Sequence, residues 1–223
     1  MATSVVSAVK NQSKLVETAP EYWDQACRDL MKQDRILKKI IPKYGSGFLV
    51  TRGDAFTTLA RAIVGQQISV AAAQAVWDRV VLASKKKINP KNILALSVQE
   101  LRDAGLSSRK VEYIRDLADH FDSGRLHANQ WQEMDDESVI KELSSIRGIG
   151  RWTAEMTLMF SLGREDVFSP DDYGIQQSMI SVYGLKGFDK KPLREKMLKI
   201  SERWAPYRTY ACLHLWRARD TSK

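Results

Sequence analysis

The chain has 223 residues, 43% of them hydrophobic, with a mean hydropathy of −0.36, which suits a globular protein of one large domain or two small ones. No stretch approaches the ~20 uninterrupted apolar residues of a membrane span, Met1 to Pro20 has no apolar core ending in a cleavage site, and two cysteines are too few for a disulfide framework or an iron–sulfur cluster. A net charge of +8 and a pI near 9.4 point to a polyanionic partner, of which nucleic acid is the usual one, and the three histidines show no zinc spacing.

From the N-terminus, Glu21 to Ile41 places Trp23, Ala26, Cys27, Leu30, Leu37, Ile40 and Ile41 at steps near three and four, predicting one helix that Pro42 ends. Tyr44 to Gly53 reads as a glycine-rich connector, and Phe48-Leu49-Val50 within it is the only short strand candidate. Asp54 then stands as a cap before Phe56, Leu59, Ala60, Ile63 and Val64. Ser69 to Ala83 is an alanine-rich helix with Val76, Val80 and Leu82 as its larger apolar members. Lys85-Lys86-Lys87 and Asn89-Pro90 read as a loop, its lysines either a phosphate contact or a solvated surface. A short helix over Ser97 to Ala104 is closed by Gly105. Ser107 or Ser108 caps the next, which carries Val111, Ile114, Leu117, Ala118 and Phe121 and stops at Gly124. Asp135, Asp136 and Glu137 open another at the end where negative charge suits the helix dipole. With strand signals so scarce, the expected fold is all-α.

The most informative stretch is Ser138 to Leu162. Val139, Ile140 and Leu143 form one helix face, Ser145-Ile146-Arg147-Gly148-Ile149-Gly150 follows, and a second helix starts at Arg151-Trp152-Thr153-Ala154. Two glycines in such a turn relieve Cβ crowding and let another backbone approach. Ile149 plugs the space between the helices, and the N–H groups of Gly150 and the next helical turn face outward, where they can bind a phosphate. Downstream, Phe168-Ser169-Pro170-Asp171-Asp172-Tyr173-Gly174 looks like a helix start.

The turn resembles the helix-hairpin-helix of DNA-binding proteins, and its wider context resembles the helix-hairpin-helix DNA glycosylase superfamily, in particular the 3-methyladenine DNA glycosylase II branch. Three segments carry the likeness in the family's order: Ala62-Ile63-Val64-Gly65-Gln66-Gln67-Ile68-Ser69; Gly148 to Ala154 with Val167 to Gln177; and Glu202-Arg203-Trp204-Ala205-Pro206-Tyr207-Arg208-Thr209-Tyr210-Ala211. About 50 residues precede the helical core, as in a compact form without the family's extra N-terminal α/β domain. The resemblance implies a central helical subdomain over 56–164 ending in the hairpin, and a second formed by 1–55 with 165–223, with a lesion-binding cleft between them. Asp172, 24 residues after Gly148 (172 − 148), falls where the superfamily keeps its essential aspartate, leaving Asp171 to cap or support. By the same resemblance Gln67 is the wedge that fills the gap left by a flipped nucleotide, Trp152, Tyr173 and Trp216 line the base pocket, and Gly148, Gly150, Arg151 and Thr153 meet the DNA backbone. No cofactor is required; some family members hold a Na or K ion on hairpin carbonyls, here those of Ser144, Ile146 and Ile149. The family often has proline where this chain has Arg147. Members that also cut the strand place a lysine where Trp152 stands, so the resemblance implies a monofunctional enzyme.

The expected activity is hydrolysis of the N-glycosidic bond of alkylated purines, 3-methyladenine and 7-methylguanine, in double-stranded DNA, by a cytoplasmic, nucleoid-associated monomer with no membrane contact. Three alternatives stay open on the sequence: a glycosylase for another lesion, such as hypoxanthine, an etheno adduct or a mismatched base; a non-catalytic DNA-binding protein that uses only the hairpin; or an RNA-binding or ribosomal accessory protein, which would explain the charge and the hairpin but not Asp172.

Overall fold

The computed structural model describes residues 21–44 and 54–220; the strand candidate Phe48-Leu49-Val50 and residues 1–20 lie outside them. Two helices, α1 (Glu21–Gln33) and α2 (Leu37–Ile40), replace the single helix expected over Glu21 to Ile41. Asp34 makes the break. Its carboxylate accepts the backbone N–H groups of Ile36 at 2.8 Å and Leu37 at 3.2 Å, starting a new helix where the apolar periodicity runs on unbroken. Its other oxygen takes the Tyr183 hydroxyl at 2.9 Å and the Trp204 indole N–H at 3.0 Å, which stabilises a carboxylate that is only 1% exposed. Burial and this carboxylate push the Tyr183 phenol well above its ordinary pKa.

The next elements are set by local caps. Asp54 accepts from the Thr57 N–H at 2.9 Å and opens α3 (Ala55–Gly65); Ser69 does the same for α4 (Val70–Ala83). Where a loop was expected at Asn89-Pro90, a helix begins instead: the Asn89 side chain accepts from the Asn92 N–H and Pro90 takes the first position of α5 (Pro90–Ala95), where its missing N–H costs nothing. Ser97 and Glu100 form a capping box on α6 (Val98–Asp103), and Ser107 caps α7 (Ser108–Asp122). The series continues with α8 (Asp136–Ser144), α9 (Arg151–Phe160), α10 (Tyr173–Tyr183), α11 (Lys190–Ser201), a 3-10 turn at Glu202–Trp204 and α12 (Arg208–Asp220). Among the described residues there is no strand, and no helix is long and apolar enough to cross a membrane.

The chain forms two compact units. One holds α3 to α9: α7 packs against α3 and α5, and α3 against α4 and α9, closing a core in which Leu59, Ile63, Val80, Ile93, Ile114, Leu117, Leu143 and Leu158 are fully buried. The other holds α1, α2 and α10 to α12. There α12 lies against α10 and α2, around Leu30, Leu37, Ile175, Met179, Trp204 and Leu215.

Candidate active site

In the first unit α8 runs into α9 through the hairpin. Asp135 caps α8 by accepting from the Ser138 N–H at 2.9 Å. The Ile146 N–H bonds to the Leu143 carbonyl and the Ile149 N–H to the Ile146 carbonyl, so the turn is closed by its own backbone while both isoleucine side chains are buried. The two glycines do different work. Gly148 sits at φ +85°, and a Cβ there would overlap the Tyr113 ring of α7. Gly150 caps α9 at φ −98°, with nothing within 4 Å of a Cβ. Only Gly148 is demanded by the fold itself; Gly150 leaves open space at a helix N-terminus with no side-chain cap.

Arg147 is not interchangeable with proline here. Its backbone N–H donates to Asp116 Oδ2 at 2.7 Å, and its guanidinium pairs with Glu112 at 3.3 Å. Arg151, expected on the DNA backbone, is bound within the protein: its guanidinium meets Glu137 and donates through Nε to Glu155 at 2.9 Å. Those carboxylates, the Glu137 hydrogen bond first, raise the Arg151 pKa, and Arg151 in turn lowers that of Glu137. Trp152 is 40% exposed on the first turn of α9, and Thr153 is buried beside it.

The loop joining α3 to α4 carries Gln67, which is exposed and held at φ 58°, a left-handed conformation rare for a side-chain-bearing residue. Gln66 beside it donates to the Gly148 carbonyl at 2.9 Å, and Lys110 of α7 donates to the Val64 carbonyl at 2.7 Å. Gln66, Gln67, Arg109, Lys110, Tyr113 and Gly148 thus border one open cavity of about 440 Å3. The sequence reading missed Gln66, Lys110 and Tyr113, for their partners lie tens of residues away.

In the second unit Asp172 itself caps α10. It is 4% exposed, and its Oδ1 accepts both the Ile175 N–H and the Trp216 indole N–H, each at 2.8 Å. The capping role expected of Asp171 therefore belongs to Asp172, while Asp171 pairs with Arg194 at 3.5 Å. Two fixed donors on one oxygen hold the carboxylate in a single orientation. Trp216 is 5% exposed and donates one of these two hydrogen bonds. Tyr173 is 51% exposed, with the Arg219 guanidinium 5.5 Å from its ring centroid. Gly174, which the sequence reading passed over, makes the approach of α12 feasible: a Cβ there would stand 2.9 Å from Trp216 Cδ1 and 3.0 Å from Asp172 Oδ1.

The start of α12 is pinned so that Trp216 arrives at this point. Arg208 donates to Asp166 at 2.8 Å, the Thr209 hydroxyl donates to the Arg164 carbonyl at 2.7 Å, and the Val167 N–H donates back to that hydroxyl at 3.0 Å. Further along, the Ser178 hydroxyl of α10 donates to the Leu215 carbonyl at 2.7 Å. The arrangement offers a buried, oriented negative charge, suited to stabilising a neighbouring positive charge.

Residues 60–206 match the family described as HhH-GPD superfamily base excision DNA repair protein. The Bacillus subtilis protein YfjP is 34% identical over 189 residues, which span 82% of this chain and 65% of that protein. Among solved structures, a DNA-3-methyladenine glycosidase from Bacillus halodurans shares 39% identity at a TM-score of 0.81, covering 88% of this chain and 90% of the other. The Schizosaccharomyces pombe 3-methyladenine DNA glycosylase Mag1, solved in complex with abasic DNA, shares 29% identity at a TM-score of 0.74, covering 86% and 95%.

Proposed function

Because the chain belongs to the HhH-GPD superfamily of base excision DNA repair proteins, we propose that it excises 3-methyladenine and 7-methylguanine from double-stranded DNA by hydrolysing the N-glycosidic bond. The observation that carries this reading is the Asp172 carboxylate, buried and clamped by the Ile175 and Trp216 N–H groups. Glycosidases that break sugar–oxygen bonds use two carboxyl groups, one of them to protonate the leaving group. A purine methylated at N3 or N7 already carries positive charge and leaves without that proton. One carboxylate near C1′ is then enough to stabilise the cationic sugar as the bond breaks and to orient the attacking water. The positive charge also suits the exposed rings of Trp152 and Tyr173.

The hairpin supplies backbone N–H groups for a phosphate, with the space at Gly150 admitting the strand. Gln67, raised on a left-handed residue, fills the stack after the lesion turns out. The enzyme leaves the strand uncut, because the indole of Trp152 offers no amine for a Schiff base. It acts as a monomer, one site engaging one lesion. A Na or K ion is a further element of this reading. The carbonyls of Ser144, Ile146 and Ile149 are the hard oxygen donors such ions take, and among the described residues the Ile146 carbonyl accepts from the Ile149 N–H, which leaves its second lone pair for an ion. When bound, the ion would add positive charge beside the phosphate.

The test is Asp172→Asn. The variant should release no base from methylated duplex DNA while still retaining an abasic duplex on a gel. Near-normal release would refute the assignment, and release of hypoxanthine or etheno-adenine in place of methylated purines by the unmodified enzyme would move the substrate class.

A further inference from the structure

Gln67 stands in a conformation that the bare chain avoids, and the groups around it explain how it stays there. If α3 ran on by one turn, Gln67 would be helical and the Ile68 N–H would take the Val64 carbonyl. Instead the Lys110 ammonium occupies that carbonyl at 2.7 Å, reaching across from α7. The Gln66 N–H closes α3 early on the Ile63 carbonyl, and its side-chain amide is tied to the Gly148 carbonyl of the hairpin at 2.9 Å. Ser69 begins α4 at once by accepting from the Ala72 N–H. Gln67 is thus bracketed by tethers to two other parts of the unit, and the tethers make no use of its own side chain. Lys110 gives up solvation to do this: burial lowers its pKa.

We propose that Lys110 and Gln66 are positioning residues that hold Gln67 ready for insertion into DNA and couple it to the hairpin. The proposal rests on the reading of Gln67 as the wedge. A wedge already in its inserted conformation loses little freedom on entering the stack, whereas a free one must be ordered at the cost of binding energy. Because Gln66 is bonded to the Gly148 carbonyl, seating a phosphate on the hairpin also fixes the loop that carries the wedge. The three residues therefore act as one device, and their substitutions should be non-additive.

The experiment compares single-turnover release of 7-methylguanine from a matched duplex with release from the same sequence in which the lesion lies in an unpaired bubble. The bubble has no stack to be filled, so loss of a wedge lowers the duplex-to-bubble rate ratio, whereas a general structural defect lowers both rates together. K110M and Q66L should each lower the ratio about three- to tenfold, the scale of one lost hydrogen bond. Q67A should lower it at least as far, and adding K110M to Q67A should lower it no further. A ratio that falls in Q67A but holds in K110M and Q66L overturns the positioning role and leaves the wedge standing. Fully additive losses in the double variant overturn it as well. A ratio unmoved by Q67A removes the wedge, and the proposal with it.

Discussion

Gly174→Ala sets two physical effects against each other. Gly174 lies in the first turn of α10, where alanine is the better helix former by about 0.5–1 kcal/mol. Propensity alone predicts a more stable protein. The structure predicts the reverse, since the new Cβ would stand 2.9 Å from Trp216 Cδ1 and 3.0 Å from Asp172 Oδ1, closer than ordinary contact. Those side chains are 5% and 4% exposed and have little room to withdraw. Overpacking of this kind costs about 1–3 kcal/mol, so the net change should be a destabilisation of about 1–2 kcal/mol, lowering Tm by roughly 2–8 °C. The larger consequence is chemical. Moving Trp216 or the carboxylate weakens a hydrogen bond to a charged group worth about 1.5–3 kcal/mol, which lowers base release about 10- to 100-fold. Thermal unfolding and single-turnover release of 7-methylguanine measure the two effects on one preparation. A raised Tm with unchanged release would show that the Cβ fits and that the approach of Trp216 to Asp172 does not limit the chemistry.

The hairpin glycines should separate in the same way. Gly148→Ala must strain a φ of +85° and displace Tyr113, costing about 1–2 kcal/mol from the left-handed backbone alone in urea unfolding. Gly150→Ala has room and should keep its stability while weakening binding to abasic DNA; equal stability losses in the two variants would contradict this division. Arg147→Pro removes the N–H that donates to Asp116 and should destabilise the protein by about 1–3 kcal/mol; a neutral result in urea would show that bond to be dispensable. Burial, reinforced by Arg217, holds the His214 pKa down at about 3, whereas the unfolded chain protonates the same ring near 6.5. Below about pH 6.5 the unfolded state therefore binds the extra proton, and stability present above that pH falls by about 1.4 kcal/mol per unit as pH drops toward 3. Urea unfolding at pH 7.5 and pH 5 should show a loss about 2 kcal/mol larger than in His214→Phe; equal losses would refute it.

Much of the local architecture was legible in the residues because it rests on bonds between near neighbours. Asp54, Ser69, Ser97, Ser107 and Asp135 each cap a helix through an N–H three residues on. Where a second interaction competes with periodicity, reading residues alone failed. The apolar steps from Trp23 to Ile41 continue past Asp34, yet the carboxylate breaks the helix because Tyr183 and Trp204, 149 and 170 residues away, hold it in place. At Asn89-Pro90 turn chemistry and helix-start chemistry share the same residues, and the structure chose the helix.

The candidate site divides along the same line. Composition and pattern alone determined an all-helical, basic chain with a glycine hairpin and an aspartate at a helix start, each a property of a few consecutive residues. Only the tertiary structure decided that Trp216 donates to Asp172 from 44 residues away, that Gly174 is the gap allowing it, that Arg151 is spent on Glu137 and Glu155, and that Gln66 reaches 82 residues to Gly148. A hydrogen bond between distant residues depends on how whole helices pack, and that packing is the sum of many small burial and steric terms that no short stretch of sequence contains.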